Sequence, residues 1–286
     1  MGYLAILCAA FLWGLIGPVS RLAFQEGLAP LEVAFFRGLL AWIIFSLHGA
    51  VRSEIHPRSK DFLLFVPFGL VGIALFYGAY QLAIHFGGAA LASVLLYTAP
   101  VWVVLLAPRL LGEKFSLNRG IAVGLALGGV ALISSTAGFR FHPLGLGFGL
   151  LSGFAYAFYY LFGKRFLTGY PTSYVFFASL PVGCLVLFPF VEFHPKSFLA
   201  WVALGFLAVF STYGAYSAYL FGLRRLAASR AVLLATLEPV VAAVVAHFWW
   251  EETFSVAQGI GAACILAAAA LAGEYSGACR TSSSSL

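Results

Sequence analysis

Charged side chains are scarce in this chain of 286 residues: Asp, Glu, Lys and Arg make up 9% of it, and hydrophobic residues 62%. A soluble domain carries about 25% charged residues, so this chain could not cover a water-facing surface. The apolar runs are long and do not alternate with polar residues, which excludes an outer-membrane β-barrel. The chain is therefore expected to satisfy its backbone within lipid as a bundle of helices.

Residues that carry catalysis are also few or scattered. The single aspartate, Asp61, lies at the edge of an apolar run, whereas an intramembrane aspartyl protease needs two within the membrane. Neither HExxH nor GxSxG occurs, and the six histidines lack metal-ligand spacing. The four scattered cysteines are typical of apolar packing residues. We expect no enzyme and no cofactor. The net charge of +6 does not indicate nucleic-acid binding, because membrane proteins sort basic residues by side.

Apolar runs of about 20 residues, the length that crosses a bilayer, alternate with short polar connections. The sequence thus predicts an all-α polytopic membrane protein with ten transmembrane helices. The first run has no signal-peptide pattern and is expected to be retained, and the tail 274–286 is expected to be disordered. The predicted spans are 3–24, 31–50, 62–84, 88–111, 119–137, 143–163, 172–191, 198–222, 227–250 and 255–273.

A segment of the chain is repeated 139 positions later. Residues 77–121 align without a gap on 216–260, with fourteen of forty-five positions identical. Such a duplication in a membrane protein indicates a transporter whose substrate site lies between the two copies. We predict five-helix repeats at 1–138 and 139–273. The identical pairs include Tyr77/Tyr216, Tyr80/Tyr219, Pro100/Pro239 and Glu113/Glu252.

Basic residues predict how the copies insert. Loops after even-numbered spans, together with the tail, hold twelve Lys and Arg residues, and loops after odd-numbered spans hold three. The positive-inside rule then places both termini in the cytoplasm. The loop between spans 4 and 5 carries Arg109, Lys114 and Arg119, but its counterpart at 248–258 has no basic residue. Because charge changes sides between equivalent loops, the architecture is predicted to be a 5+5 inverted-topology repeat.

Several short motifs occur in order along the chain. They are Leu12-Trp13-Gly14 with Pro18, Arg37, Tyr97-Thr-Ala-Pro100, Leu237-Glu-Pro-Val240, Gly112-Glu113 and Glu251-Glu252. With these motifs the whole chain resembles the drug/metabolite transporter (DMT) superfamily, specifically its ten-helix EamA-type exporters. Its high content of aromatic residues makes the chain most similar to the YddG-type branch. The resemblance implies export of aromatic amino acids or related compounds across a bacterial inner membrane. It also implies a cavity lined by spans 1, 3, 4, 6, 8 and 9.

Glu238 is the sharpest candidate for a functional group, because it is the only acid in the middle of a span. A carboxylate within the membrane is costly and by default has a partner or a function. Pro239 follows it and is expected to kink the helix. One interpretation is that Glu238 binds a substrate ammonium or carries a coupling proton. The other is a protonated carboxyl group that bonds a neighbouring helix. The equivalent residue is Ala99, so the repeat does not require an acid there.

Aromatic side chains offer a flat apolar face and a polar group for orienting a ring. Those within spans are expected at the cavity, with ordinary helix packing as the alternative, whereas Trp201, Trp249, Trp250 and Tyr170 fit interfacial belts. The predicted substrate-binding residues are Trp13, Tyr77, Tyr80, Gln81, Tyr97, Trp102, Tyr156, Tyr160, Tyr213, Tyr216, Ser217 and Glu238.

For three other features we expect a structural role before a functional one. Arg37 should snorkel or pair with Glu32, with contact to a substrate carboxylate as the alternative. Glu113 and Glu252 should cap the starts of spans 5 and 10. Gly120-xxx-Gly124-xxx-Gly128 and Gly145-xxx-Gly149-xxx-Gly153 should pack helices within the bundle, with a dimer face as the alternative.

The sequence thus favours a secondary carrier for a small-molecule substrate, with aromatic amino acids first, in the lipid bilayer as a monomer or weak homodimer. A passive channel should show a continuous polar stripe or charged rings, which are missing. A nucleotide-sugar or lipid-linked carrier should have more cations within its spans than Arg37.

Overall fold

The computed structural model describes residues 1–55, 59–114, 116–135, 142–251 and 255–273, and this part of the chain contains helices and no strand. In the first repeat, span 1 consists of Gly2–Gly14 and Ile16–Gln25, span 2 of Pro30–Val51, spans 3 and 4 together of Ser59–Pro67, Phe68–Leu75, Phe76–Leu96 and Ala99–Leu111, and span 5 of Leu117–Ser134. In the second repeat, span 6 consists of Pro143–Phe162 and Gly163–Leu167, span 7 of Thr172–Leu187 and Phe188–Phe190, and span 8 of Phe198–Phe206, Leu207–Gly214 and Ala215–Leu223. Span 9 consists of Ala228–Ala235 and Glu238–Trp250, and span 10 of Val256–Gly273.

The all-α ten-span fold is confirmed. In the described part of the chain, nine helical stretches are long and apolar enough to cross a membrane, and Val256–Ala272 is a slightly shorter tenth. Their bounds agree with the predicted runs to within a few residues, and span 6 reaches furthest beyond its prediction, to Leu167. The predicted tail 274–286 and Glu252 lie outside the described residues.

Spans 3 and 4 share the helical stretch Phe76–Leu96, within which the chain reverses direction. Phe76 stacks on Tyr156 of span 6, with ring centroids 5.0 Å apart. Phe86 stacks on Phe148, two turns nearer the start of span 6, and Leu95 returns to contact Gly149. The reversal predicted between spans 3 and 4 is therefore present.

Contacts between span ends show that spans 2, 6 and 8 end, and span 7 begins, at the same end of the bundle. Lys164 Nζ donates to the carbonyl oxygen of Leu223 at 2.6 Å, which joins the ends of spans 6 and 8. The Ser173 hydroxyl donates to Glu54, in the loop after span 2. We call this the basic end of the bundle, because it collects the loops after spans 2, 4, 6 and 8.

The two copies share a local distortion. Phe68–Leu75 in span 3 and Leu207–Gly214 in span 8 are both π-helical, and the two segments are 139 positions apart. Just beyond them the equivalent residues Tyr77 and Tyr216 meet, with their hydroxyl oxygens 2.6 Å apart. Short π-helical segments are frequent at functional sites. The duplication therefore brings the same tyrosine of each copy to the centre of the molecule.

The first helix of each copy packs against a helix of the other copy. A Cβ atom on Gly14 of span 1 would lie 2.8 Å from the carbonyl oxygen of Glu238 in span 9. At the equivalent position, a Cβ on Gly153 of span 6 would lie 2.5 Å from the carbonyl oxygen of Leu95 in span 4. Each half thus packs a glycine of its first helix against the broken helix of the other half, which confirms packing within the bundle for this part of the span 6 stripe.

Three spans are interrupted shortly before a proline. Span 1 breaks at Leu15, span 4 at Tyr97–Thr98 and span 9 at Thr236–Leu237. Proline lacks an N–H group and clashes with the carbonyl one turn earlier. Thr98 and Thr236 each donate a hydroxyl to the carbonyl oxygen three residues back, at 2.6 Å. The kink expected at Pro239 in span 9 is confirmed, span 4 breaks in the same way before Pro100, and the break in span 1, before Pro18, was not predicted.

Glycines also let spans 5 and 10 cross closely. A Cβ atom on Gly129 would lie 2.6 Å from the carbonyl oxygen of Gly261, and one on Gly261 would lie 2.6 Å from that of Gly129. By contrast, a Cβ atom on Gly120, Gly124 or Gly128 would meet nothing within 4 Å. Bundle packing was therefore the wrong interpretation for this stripe, which lies on the face beside the crossing. Its use between two copies stays a prediction.

Gly129→Ala is expected to destabilise the protein by about 1–3 kcal/mol, because overpacking forces the backbones of two helices apart. Gly128→Ala, one residue earlier on the open face, is the matched control and should be neutral or slightly stabilising. Thermal unfolding of both variants in detergent checks this. Equal midpoints for Gly129→Ala and Gly128→Ala would contradict the close crossing.

Candidate functional site

Glu238 is the first residue of the helix that follows the break in span 9, and it is half-buried. The Tyr97 hydroxyl, beside the break in span 4, is a polar neighbour of its carboxyl group. Tyr80, Tyr156 and Tyr160 are close enough to Glu238 to interact with it electrostatically. Tyr156 and Tyr160 also bond each other, with hydroxyl oxygens 3.2 Å apart. The structure therefore groups four of the predicted tyrosines around the one mid-span acid.

Arg37 forms a second, cationic group. Its side chain is 8% exposed. Its guanidinium donates to the Tyr77 hydroxyl, and its central carbon lies 4.9 Å from the centroid of the Tyr77 ring. Tyr77 in turn bonds Tyr216 of the other copy. Arg37 Nε is buried without a hydrogen-bond partner in the structure. Neither snorkelling nor pairing with Glu32 occurs, so those expectations were wrong.

Glu32 instead binds the loop between spans 7 and 8, at the end opposite the basic end. Lys196 Nζ lies 2.6 Å from one of its carboxylate oxygens, and His194 Nδ1 lies 2.9 Å from the other. The backbone N–H of His194 also donates to this carboxylate, at 3.0 Å. Glu32 is fully buried. A buried carboxylate requires such partners, and Arg37 is left for the tyrosines.

Arg37 and Glu238 interact electrostatically, but they form no salt bridge with each other. Charges inside membrane spans are rare and mark substrate or ion pathways. The arrangement offers a carboxylate at one position and a guanidinium at another, each beside tyrosine hydroxyls. Chemically, it can hold a ligand that carries one positive and one negative group.

A layer of buried aromatic rings lies between this site and the basic end. The Tyr159 and Tyr219 rings are 5.1 Å apart, and Trp13 lies 5.6 Å from Tyr219. These three side chains are at most 5% exposed. Spans 6 and 8 run toward the basic end, so Tyr159 and Tyr219 lie nearer to it than Tyr156 and Tyr216. The site is closed on that side.

The other predicted site residues lie at different places. Tyr213 packs between spans 8 and 2, where its hydroxyl bonds His48 Nδ1 at 2.8 Å. Trp102 packs edge-on against Phe154, with centroids 5.6 Å apart, and its indole N–H is buried without an acceptor in the structure. Trp13 contacts Tyr216 edge-on at 6.0 Å. Gln81 and Ser217 are half-buried in spans 3 and 8.

Sequence reasoning left two residues out of the candidate set. Arg37 is the cationic group, and its mid-membrane position gave the same signal that singled out Glu238. Tyr159 belongs to the closing layer, and its position beside Tyr160 gave no separate signal. Glu113 was assigned the wrong role: it accepts from the backbone N–H of Ala228 at 2.6 Å and from the Ser229 hydroxyl. It therefore caps span 9 of the other copy, not span 5.

Two five-helix halves with charged and aromatic side chains gathered where they meet define a membrane transporter. The model of the EamA-like transporter family matches residues 1–135 and again 143–273, and the chain belongs to that family. An "Uncharacterized transporter" of Archaeoglobus fulgidus is 30% identical, with 95% of this chain and 96% of the relative covered. The "Uncharacterized inner membrane transporter YicL" of Salmonella typhimurium is 26% identical, with 94% of each covered.

The fold has a counterpart among solved structures. One crystal structure superposes with a TM-score of 0.81 at 18% identity, and the alignment covers 95% of this chain and 96% of the other. This likeness supports the fold alone. Neither named relative has a substrate in its name, and the YddG-type branch stays a prediction.

Proposed function

We propose that the protein is a secondary transporter that exports small zwitterionic metabolites, aromatic and hydrophobic amino acids above all. The observation that carries this proposal is the pair of opposite charges inside the membrane spans, Glu238 and Arg37, each set among tyrosines. An α-amino acid has one ammonium and one carboxylate group. The ammonium binds Glu238 and the carboxylate binds Arg37, so the loaded site carries no net charge.

Tyrosine and phenylalanine rings supply the third part of the site. Phe76 and Tyr156 stack almost parallel, at 4°, and beside the charges they form a wall suited to a flat side chain. Tyrosine hydroxyls orient the polar groups of the ligand without adding charge. Aromatic amino acids fit this combination better than acidic or basic ones, whose extra charge finds no counter-charge among the described groups around Glu238 and Arg37.

Transport then follows from rocking of the repeats, 1–138 and 139–273, around the site. The Tyr77–Tyr216 bond joins the halves at the centre, and the layer around Tyr159 closes the basic end. The sorting of Lys and Arg supports a cytoplasmic position for the basic end and both termini. In a bacterial inner membrane this conformation faces outward, and opening of the aromatic layer admits substrate from the cytoplasm.

Two other functions fit less well. A passive channel needs a continuous polar path, and the buried rings of Trp13, Tyr159 and Tyr219 interrupt it. A nucleotide-sugar or lipid-linked carrier needs several cations for its phosphates, and Arg37 is the cation placed among the site tyrosines.

The test is uptake by the purified full chain in proteoliposomes. A panel of labelled aromatic, aliphatic, acidic and basic amino acids and a nucleotide sugar is compared with and without a pH gradient. We expect saturable uptake of aromatic and large aliphatic amino acids, and counterflow when unlabelled substrate is preloaded. Counterflow distinguishes a carrier from a channel. Absence of amino-acid transport with active uptake of the nucleotide sugar would overturn the substrate assignment.

A further inference from the structure

An open groove of about 450 Å³ lies between spans 4 and 6 on the outer surface of the bundle. Its walls are apolar and include Leu106, Phe158 and Phe162. Leu110 and Phe154, 52% and 42% exposed, leave it open toward the lipid. The groove is therefore separate from the site around Glu238, and on span 6 it uses the face opposite Tyr156 and Tyr160.

Two arginines, Arg109 and Arg165, lie in the lining of this groove. Both are exposed and sit near the ends of their spans at the basic end. Neither guanidinium forms a hydrogen bond or an ion pair with any residue that the structure describes. Two other cations of this end are engaged, since Lys164 donates to Leu223 and Arg119 pairs with Glu113 at 3.4 Å. The two groove arginines keep their donors free.

The repeat shows that helix packing does not require these charges. The positions equivalent to Arg109 and Arg165 are Phe248 and Glu26, on spans 9 and 1. The equivalent contact between spans 9 and 1, at the opposite end, therefore has an aromatic ring and an acid in place of the two cations. The pair of arginines is specific to the contact between spans 4 and 6, at the basic end.

We propose that the groove binds an anionic phospholipid. The guanidinium groups of Arg109 and Arg165 hold the headgroup phosphate, and an acyl chain lies along the apolar walls. Guanidinium groups match phosphate with parallel hydrogen bonds. Basic pockets between helices at the cytoplasmic side are suited to anionic headgroups. The lipid stabilises the contact between spans 4 and 6, on the face of span 6 opposite Tyr156 and Tyr160.

Native mass spectrometry of the delipidated full chain in detergent tests this with phosphatidylglycerol and phosphatidylcholine. Wild type should bind one phosphatidylglycerol more tightly than phosphatidylcholine. The double variant Arg109→Gln/Arg165→Gln should bind phosphatidylglycerol about 30-fold more weakly, about 2 kcal/mol, and keep its phosphatidylcholine affinity. Arg52→Gln/Lys114→Gln removes the same charge from exposed loop positions of the same end and should behave as wild type.

Equal binding of the two lipids by wild type, or an equal loss in the control variant, would overturn the proposal. Inorganic phosphate is added as a competitor at millimolar concentration, and failure to displace phosphatidylglycerol is expected. Displacement by phosphate alone would show a small-anion site instead. The unfolding midpoint of each variant without added lipid confirms its fold, and each single arginine variant should lose about 5-fold in affinity.

Discussion

Glu238→Gln is expected to lower pH-driven uptake of an aromatic amino acid into proteoliposomes at least about 100-fold. Glutamine keeps the size and hydrogen bonding of the side chain and removes only the charge. Loss of one partner from a desolvated charge pair costs about 3–5 kcal/mol, which corresponds to roughly 100-fold or more. The measurement is the initial rate of uptake at equal protein incorporation.

Counterflow separates the two roles open to Glu238. If the carboxylate binds the substrate ammonium, Glu238→Gln abolishes counterflow as well as pH-driven uptake. If it carries only the coupling proton, counterflow survives and the pH response is lost. Glu26→Gln changes an acid outside the site and should leave both unchanged. Normal pH-driven uptake by Glu238→Gln would refute both roles.

Arg37→Gln is expected to raise the KM for the same amino acid by about 100-fold, because the carboxylate loses its only charged partner in the site. Arg37→Lys restores the charge but not the planar fork of donors, and should recover only part of the affinity. Initial rates over a range of substrate concentrations give KM and kcat separately.

The control for this series is Arg225→Gln. Arg225 is exposed at the basic end, where its guanidinium stacks on Phe221 at 3.5 Å, so uptake should not change. Tyr77→Phe removes the hydroxyl that accepts from Arg37 and should weaken binding less than Arg37→Gln does. An unchanged KM in Arg37→Gln, with the protein folded, would mean that Arg37 serves only to join spans 2 and 3.

The sequence correctly predicted the structural features that are set by residues close together in the chain. Lipid-crossing length fixes the ten spans, and Pro100 and Pro239 set two of the breaks through their missing N–H groups. The repeat also identifies Tyr77 and Tyr216 as equivalent residues, although it does not predict their direct contact. These features depend on residues close in the chain or on the duplication itself.

Pairing across the bundle was not predictable in the same way. Glu32 is only five positions from Arg37 in the sequence, but in the structure its carboxylate binds Lys196, in the loop between spans 7 and 8. Glu113 was placed at the nearest helix start, but packing of the copies brings it to Ala228. Gly128 and Gly129 are neighbours in sequence, and the helix rotation between them decides which one meets span 10. Each choice is made by three-dimensional packing among candidates that look alike in sequence.

Binding of matched ligands to wild type, Arg37→Gln and Glu238→Gln tests the two-charge site most directly. The ligands are phenylalanine, phenylalaninamide, which lacks the carboxylate, and N-acetylphenylalanine, which lacks the ammonium. Wild type should disfavour both analogues. Arg37→Gln should lose only the penalty against the amide, and Glu238→Gln only the penalty against the N-acetyl compound. The same penalties in all three proteins would contradict a site that holds one ligand charge at each residue.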